Sequence, residues 1–102
     1  MVKKKYYING EWINSNQAKI PIDNPGFQYG LGAFETIRFS ENNIFFINNH
    51  LIRLNYNLKK LAIKEIEENI FITLLNKTIK LNKIRTGLLK MIITPDYISH
   101  DN

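Results

Sequence analysis

A two-residue period gives way to a helical one within about twenty residues, and this switch constrains the fold more than any other feature of the chain. From Phe34 to Phe39 the side chains alternate. Phe34, Thr36 and Arg38 fall on one face, and Glu35, Ile37 and Phe39 on the other. Leu51, Leu54, Leu58 and Leu61 then recur at offsets of 3, 4 and 3, a stripe along one side of a helix. Strand patterning followed by helical patterning in one short chain reads as an α+β domain with a largely antiparallel sheet and two helices.

The remaining elements extend that pattern. Residues 5–14 read as a hairpin, because Asn9-Gly10 between Tyr6-Tyr7-Ile8 and Glu11-Trp12-Ile13 is a strong two-residue turn signal. Residues 18–22 suggest a short strand with Ile20 and Ile22 alternating, and Asp23-Asn24-Pro25-Gly26 reads as a turn. Glu41-Asn42-Asn43 turns the chain into a second strand, Ile44-Phe45-Phe46-Ile47. Asn48 or Asn49 is a good N-cap for the leucine-striped helix. A second helix is expected from Lys64 to about Ile79, with Ile66, Ile70, Phe71, Leu74, Leu75 and Thr78 on one side. Residues 88–94 read as a buried-type strand that Pro95 ends. Beyond Thr94 the pattern thins into a tail or the start of a linker.

Composition narrows the function. At 102 residues, 44% hydrophobic and 23% charged, the chain is one globular domain and not a disordered segment. It has no cysteine, which removes disulfides, thiolate metal sites and cysteine nucleophiles. His50 and His100 stand fifty residues apart with no partner motif, so no zinc site is expected. No apolar run approaches bilayer length, and no apolar segment follows the N-terminal lysines as in a signal peptide. A cytoplasmic protein without membrane contact is the expectation. The net charge of +5 comes in large part from Lys3, Lys4 and Lys5. No basic stripe interleaved with stacking aromatics accompanies it, so no nucleic-acid partner is expected.

Few residues suggest chemistry on their own. Gly30 and Gly32 precede a strand, whereas a dinucleotide fingerprint needs a strand before it, a helix after it and a third glycine. They read instead as a tight path with positive φ. Tyr29, Phe34 and Arg38 are ligand-friendly neighbours of that path. On sequence alone Arg38 is a solvated or carboxylate-paired strand arginine, and Arg53 a solvated arginine well off the leucine stripe. Glu35 projects away from Phe34, Thr36 and Arg38, so no general-base constellation forms with them.

The motifs taken together are more specific. Tyr29-Gly30-Leu31-Gly32-Ala33-Phe34-Glu35-Thr36-Ile37-Arg38, a short hairpin, and then Asn49-His50-Leu51-Ile52-Arg53-Leu54 closely resemble the class IV aminotransferases, the fold-type IV pyridoxal-phosphate enzymes. That family includes branched-chain aminotransferases, D-amino acid aminotransferases and 4-amino-4-deoxychorismate lyases. Tyr7-Ile8-Asn9-Gly10-Glu11-Trp12 is similar to their first hairpin, and the resemblance runs over residues 5 to 95.

The resemblance implies the small N-terminal domain of a two-domain enzyme, with pyridoxal 5'-phosphate in the cleft between the domains. Arg53 would bind the cofactor phosphate, and Tyr29, Phe34, Thr36 and Arg38 would line the substrate side. The substrate would be an amino acid or an aminodeoxychorismate-like small molecule, and the protein a homo-oligomer. Leu31 stands where the family often has aspartate, and Thr94-Pro95 where many members have Arg-Gly. Thr36 departs from the branched-chain glycine and favours a lyase-like or unassigned member. The Schiff-base lysine of the family belongs to the second domain, which is expected to be absent here, so no catalytic residue is expected in this chain. Lys90 lies mid-strand and bears no mark of activation. The rival expectation is a stand-alone, non-catalytic module that binds or oligomerises through the same fold.

Overall fold

A computed structural model describes residues 4–96. Lys3, His100 and the tail-or-linker reading of residues 97–102 lie outside the described residues. The order is β1 (Lys5–Ile8), β2 (Glu11–Asn14), α1 (Pro25–Tyr29), β3 (Ala33–Ser40), β4 (Asn43–Ile44), α2 (Ile47–Lys60), α3 (Glu68–Asn82) and β5 (Thr86–Ile93). The architecture is α+β with antiparallel sheets, as the sequence predicts. One sheet is the β1-β2 hairpin, and the other has the order β4-β3-β5.

The hairpin turns at Asn9 and Gly10, both with positive φ, as a two-residue turn between twisted strands requires. Two hydrogen bonds tether it to the end of α3. The Lys5 amide donates to Asn82 Oδ1 at 2.8 Å, and Asn82 Nδ2 donates to the Lys5 carbonyl at 3.0 Å. Lys77 on α3 also stands 5.2 Å from the Trp12 ring centroid.

Residues 18–22 do not form the expected strand. Pro21 removes an amide donor, no strand lies alongside, and Ile20 and Ile22 are exposed. Residues 23–26 do not form a simple turn but start α1. The Asn24 side chain accepts from the Gly26 and Phe27 amides, and Pro25 occupies the first helical turn. Gly30 closes α1 in the left-handed region at φ 68°. Gly32 has no positive φ, contrary to expectation. It lies so close to β5 that an added Cβ would come 3.0 Å from the Ile93 carbonyl oxygen.

β3 alternates as predicted. Ala33, Glu35, Ile37 and Phe39 are buried, while Phe34, Thr36 and Arg38 are exposed. β4 is shorter than expected, because Phe46 adopts a left-handed conformation at φ 56° and α2 begins at Ile47. Phe46 therefore takes the N-cap position expected for Asn48 or Asn49, without a side-chain cap. The helix is held instead by its apolar stripe, with Leu54 and Leu58 fully buried.

α3 starts at Glu68, not at Lys64. Residues 64–67 are drawn into a connection whose middle is fixed by Asn55. Its side chain donates to the Ile66 carbonyl at 3.0 Å and accepts from the Ile66 amide at 2.8 Å. β5 is not buried on both faces: Leu88, Lys90 and Ile92 are exposed. α2 and α3 cover only one face of the sheet. Ile37, Phe39, Leu54, Leu58, Phe71, Leu75 and Leu89 meet there, each contributing about 1.5–3 kcal/mol by leaving water. The other sheet face stays open. Among the described residues, no helix is long and apolar enough to cross a membrane.

Candidate functional site

Glu35 is the one buried charged residue among the described residues, at 4% exposure. It shares the apolar face of β3 with Ile37 and Phe39, so it points at α2. A carboxylate taken out of water needs donors, and one turn of α2 supplies them. His50 and Arg53 lie three residues apart on the same helix face. Arg53 donates to Glu35 through Nε to Oε2 at 2.8 Å and through Nη2 to Oε1 at 2.6 Å. His50 Nδ1 stands 2.6 Å from Oε1. A carboxylate only accepts, so Nδ1 carries the proton and donates. The 3.4 Å approach of Arg53 Nη2 to that same Nδ1 is then a close contact between two donors.

The forked pair is charge-assisted. The hydrogen bonds from Arg53 hold the Glu35 carboxyl below its ordinary 4.5; burial pushes the other way, and His50 adds to the lowering. Arg53 is correspondingly raised above its ordinary value by its hydrogen bonds to the Glu35 carboxylate and by that carboxylate's charge. The guanidinium side chain nonetheless remains 63% exposed. Of the five N–H donors of a guanidinium, Glu35 engages Nε and Nη2. The rest of the fork is oriented and open to water. A fixed, always-charged fork of this kind matches the tetrahedral oxygens of a phosphate monoester.

The open face of the sheet is a different environment. Phe34, Thr36 and Arg38 stand exposed on β3, with Leu88, Lys90 and Ile92 exposed beside them on β5. Arg38 Cζ lies 5.8 Å from the Phe45 ring centroid, and among the described residues it has no carboxylate partner. Tyr29 ends α1, exposed, four residues before β3 begins. The structure thus groups Phe34, Thr36 and Arg38, and places Glu35 and Arg53 together on the helix side of the same strand. A ligand that used both sets would have to straddle β3.

In the sequence, Arg53 meets a phosphate only through the resemblance, and Glu35 and His50 have no role. The signal for both was present. Glu35 shares parity with two core residues, and His50 and Arg53 share a helix face with each other. Among the described residues, no group of His, Asp and Glu could hold a metal ion.

Known proteins similar to this chain include the following three. Aminodeoxychorismate lyase of Bacillus subtilis is 35% identical over 82 residues, covering 79% of this chain and 28% of that protein. D-alanine aminotransferase of Staphylococcus haemolyticus is 29% identical over 86 residues, covering 81% of this chain and 30% of that protein. The branched-chain amino acid aminotransferase of Escherichia coli superposes with a TM-score of 0.84 at 18% identity, covering 98% of this chain and 34% of that one. No family model matches. The chain spans about a third of the length of these relatives.

Proposed function

We propose that this chain, a member of the class IV aminotransferase family by sequence and fold, is the N-terminal domain of a two-domain pyridoxal-phosphate aminotransferase or aminodeoxychorismate lyase. Its part is to hold the phosphate of pyridoxal 5'-phosphate at Arg53 and to offer one wall to the substrate. The observation that carries this is the Glu35-anchored guanidinium: two of its nitrogens are fixed on a buried carboxylate and the rest of its donors are exposed.

The residues present fit the cofactor's phosphate. Arg53 supplies a forked cation that, among the described residues, pairs with no carboxylate but Glu35, and Glu35 holds it in place against the phosphate's pull. His50 blocks Glu35 from turning by occupying the Oε1 lone pair from the helix side. Bound pyridoxal phosphate supplies an electron sink for bond breaking at an amino acid Cα. Phe34, Thr36 and Arg38 orient the substrate: Arg38 offers a cation for a carboxylate, Thr36 a hydroxyl, and Phe34 an apolar surface. A threonine at position 36 supports the lyase-like branch over the branched-chain one, as does the 35% identity to a protein named as a lyase. The proton-carrying lysine is assigned to the second domain, and the working protein to a homo-oligomer.

The test compares pyridoxal phosphate with pyridoxal. Titrated into isotope-labelled chain, the phosphorylated form should shift the Arg53 Nε–H resonance, and pyridoxal should not. Read at the backbone amides of residues 50–53, replacement of Arg53 by Gln should abolish the difference. Equal effects of the two compounds, or an unchanged preference in R53Q, would overturn the phosphate role.

A further inference from the structure

Among the described residues, six besides glycine have positive φ, and three of them meet at one cleft. It lies at the end of β3 away from Gly32. Glu41 at φ 49° and Asn42 at φ 71° are the central pair of the β3–β4 turn, and Lys83 at φ 52° closes α3. Such a turn is ordinarily built with Asn, Asp or Gly, and such a helix end with Gly or Asn. Asn42 conforms; Glu41 and Lys83 do not. A longer side chain held left-handed is a cost that its surroundings or its function must offset. For Glu41 the offset is visible. Its carboxylate accepts from Arg85 Nη2 at 2.9 Å, and its amide donates to the Arg85 carbonyl at 2.9 Å. Lys83 has no such partner: among the described residues neither it nor Lys80, one turn back on α3, takes part in an ion pair.

Glu41, Lys80, Lys83 and Arg85 line this cleft of about 550 Å³ together with Asn42 and Asn76, and Ile79 and Ile84 give it an apolar part. That size suits a small organic ligand. Three cations against one carboxylate leave two positive charges. The carbonyl end of the α3 dipole offsets about half a charge, so the cleft stays positive.

We infer that this cleft binds a small phosphate monoester carrying an apolar group. Lys83 and Lys80 meet the phosphate, the amides of Asn42 and Asn76 supply further donors, and Ile79 and Ile84 take the apolar group. A phosphate dianion matches the charge, and its oxygens accept from both ammonium groups at once. A monocarboxylate would leave one lysine without a partner. Arg85 is engaged by Glu41, and their bonds tie the turn to the start of β5. None of Glu35, His50 and Arg53 lines this cleft, so it stands whether or not Arg53 holds a cofactor phosphate.

Isotope-labelled full chain is titrated with phenyl phosphate, inorganic phosphate and benzoate at constant ionic strength, following backbone amides. Phenyl phosphate should shift residues 41–42 and 76–85 and bind there more tightly than inorganic phosphate, while benzoate leaves them nearly unmoved. Lys83→Gly removes both the charge and the strained side chain. It should raise Tm yet weaken phenyl phosphate about twofold to fivefold, the size of one exposed ion pair. A lysine that served only as a helix end would not couple those two changes. Lys80→Met, on the exposed helix surface, should weaken binding by a similar factor, and Lys83→Arg should keep it. Arg53→Gln should leave the response of the cleft as it is. Shifts confined to residues 50–53, or phenyl phosphate binding no tighter than inorganic phosphate or benzoate, would overturn the inference. So would unaltered binding by both K83G and K80M, or a lower Tm for K83G.

Discussion

Replacing Glu35 by Gln tests whether the buried carboxylate holds the site together. Glutamine keeps the shape but has one acceptor oxygen and one NH2. With its oxygen at the Oε1 position it still accepts from His50 Nδ1 and Arg53 Nη2, but its NH2 then faces the Arg53 Nε–H that Oε2 accepted at 2.8 Å. One charge-assisted bond is lost, two donors face each other, and the remaining bonds lose their ionic component. Hydrogen bonds to charged groups contribute about 1.5–3 kcal/mol. The guanidinium is well over half exposed, and water screens its share, so the lower end applies: about 1.5 kcal/mol. In a domain of this size that corresponds to a Tm lower by roughly 6–12 °C.

The effect must depend on pH with a definite sign. The folded-state pKa of Glu35 lies below its ordinary 4.5, chiefly through Arg53. Its stabilisation is therefore fully present above about 4.5 and is lost as pH falls through the folded value. Thermal unfolding followed by circular dichroism should show a full gap between parent and E35Q at pH 7. The gap should narrow below pH 4.5 and close once Glu35 is protonated in the folded chain. Equal Tm values at pH 7, or a gap that persists unchanged at the acid end, would refute the reasoning.

Two further outcomes follow from the packing. Phe71→Ala removes a fully buried ring from the sheet–helix core and should cost about 3–5 kcal/mol. In urea this reads as a lower midpoint with an unchanged slope. Asn82→Ala removes both bonds that tether the hairpin to α3 and should cost about 1–2 kcal/mol. Amide exchange should accelerate over β1 and β2 while the amides of β3 and α2 keep their protection; a uniform acceleration would contradict the tether.

The parts legible in the sequence were those set by periodicity. The alternation of residues 34–39 gave the split between the Glu35 face and the Arg38 face, and the leucine stripe gave Leu54 and Leu58 their place in the core. The boundaries were less legible because tertiary contacts decided them. Phe46 turns left-handed and cuts short the strand that its β-propensity suggested. Asn55 reaches across to Ile66 and delays α3 past residues that favour helix. Residues 18–22 alternate like a strand, but Pro21 and the want of a neighbour leave nothing to pair with. The Glu35–His50–Arg53 cluster was written in the parity of Glu35 and the spacing of the two helix residues. What hid it is that periodicity marks the face a residue occupies and not the partner it meets there. The cleft between residues 41–42 and Lys83 was equally hidden, because it depends on a register between strands fifty residues apart.

Borohydride trapping with pyridoxal phosphate bears most directly on the claim that this chain anchors the cofactor's phosphate while another domain supplies the lysine. The chain is equilibrated with the cofactor, reduced, digested and mapped. The account predicts only weak adducts scattered over several lysines, and an Arg53→Gln variant that no longer shows phosphate-dependent binding before reduction. A stoichiometric adduct at a single lysine, Lys90 above all, would contradict it and give this chain a catalytic group of its own.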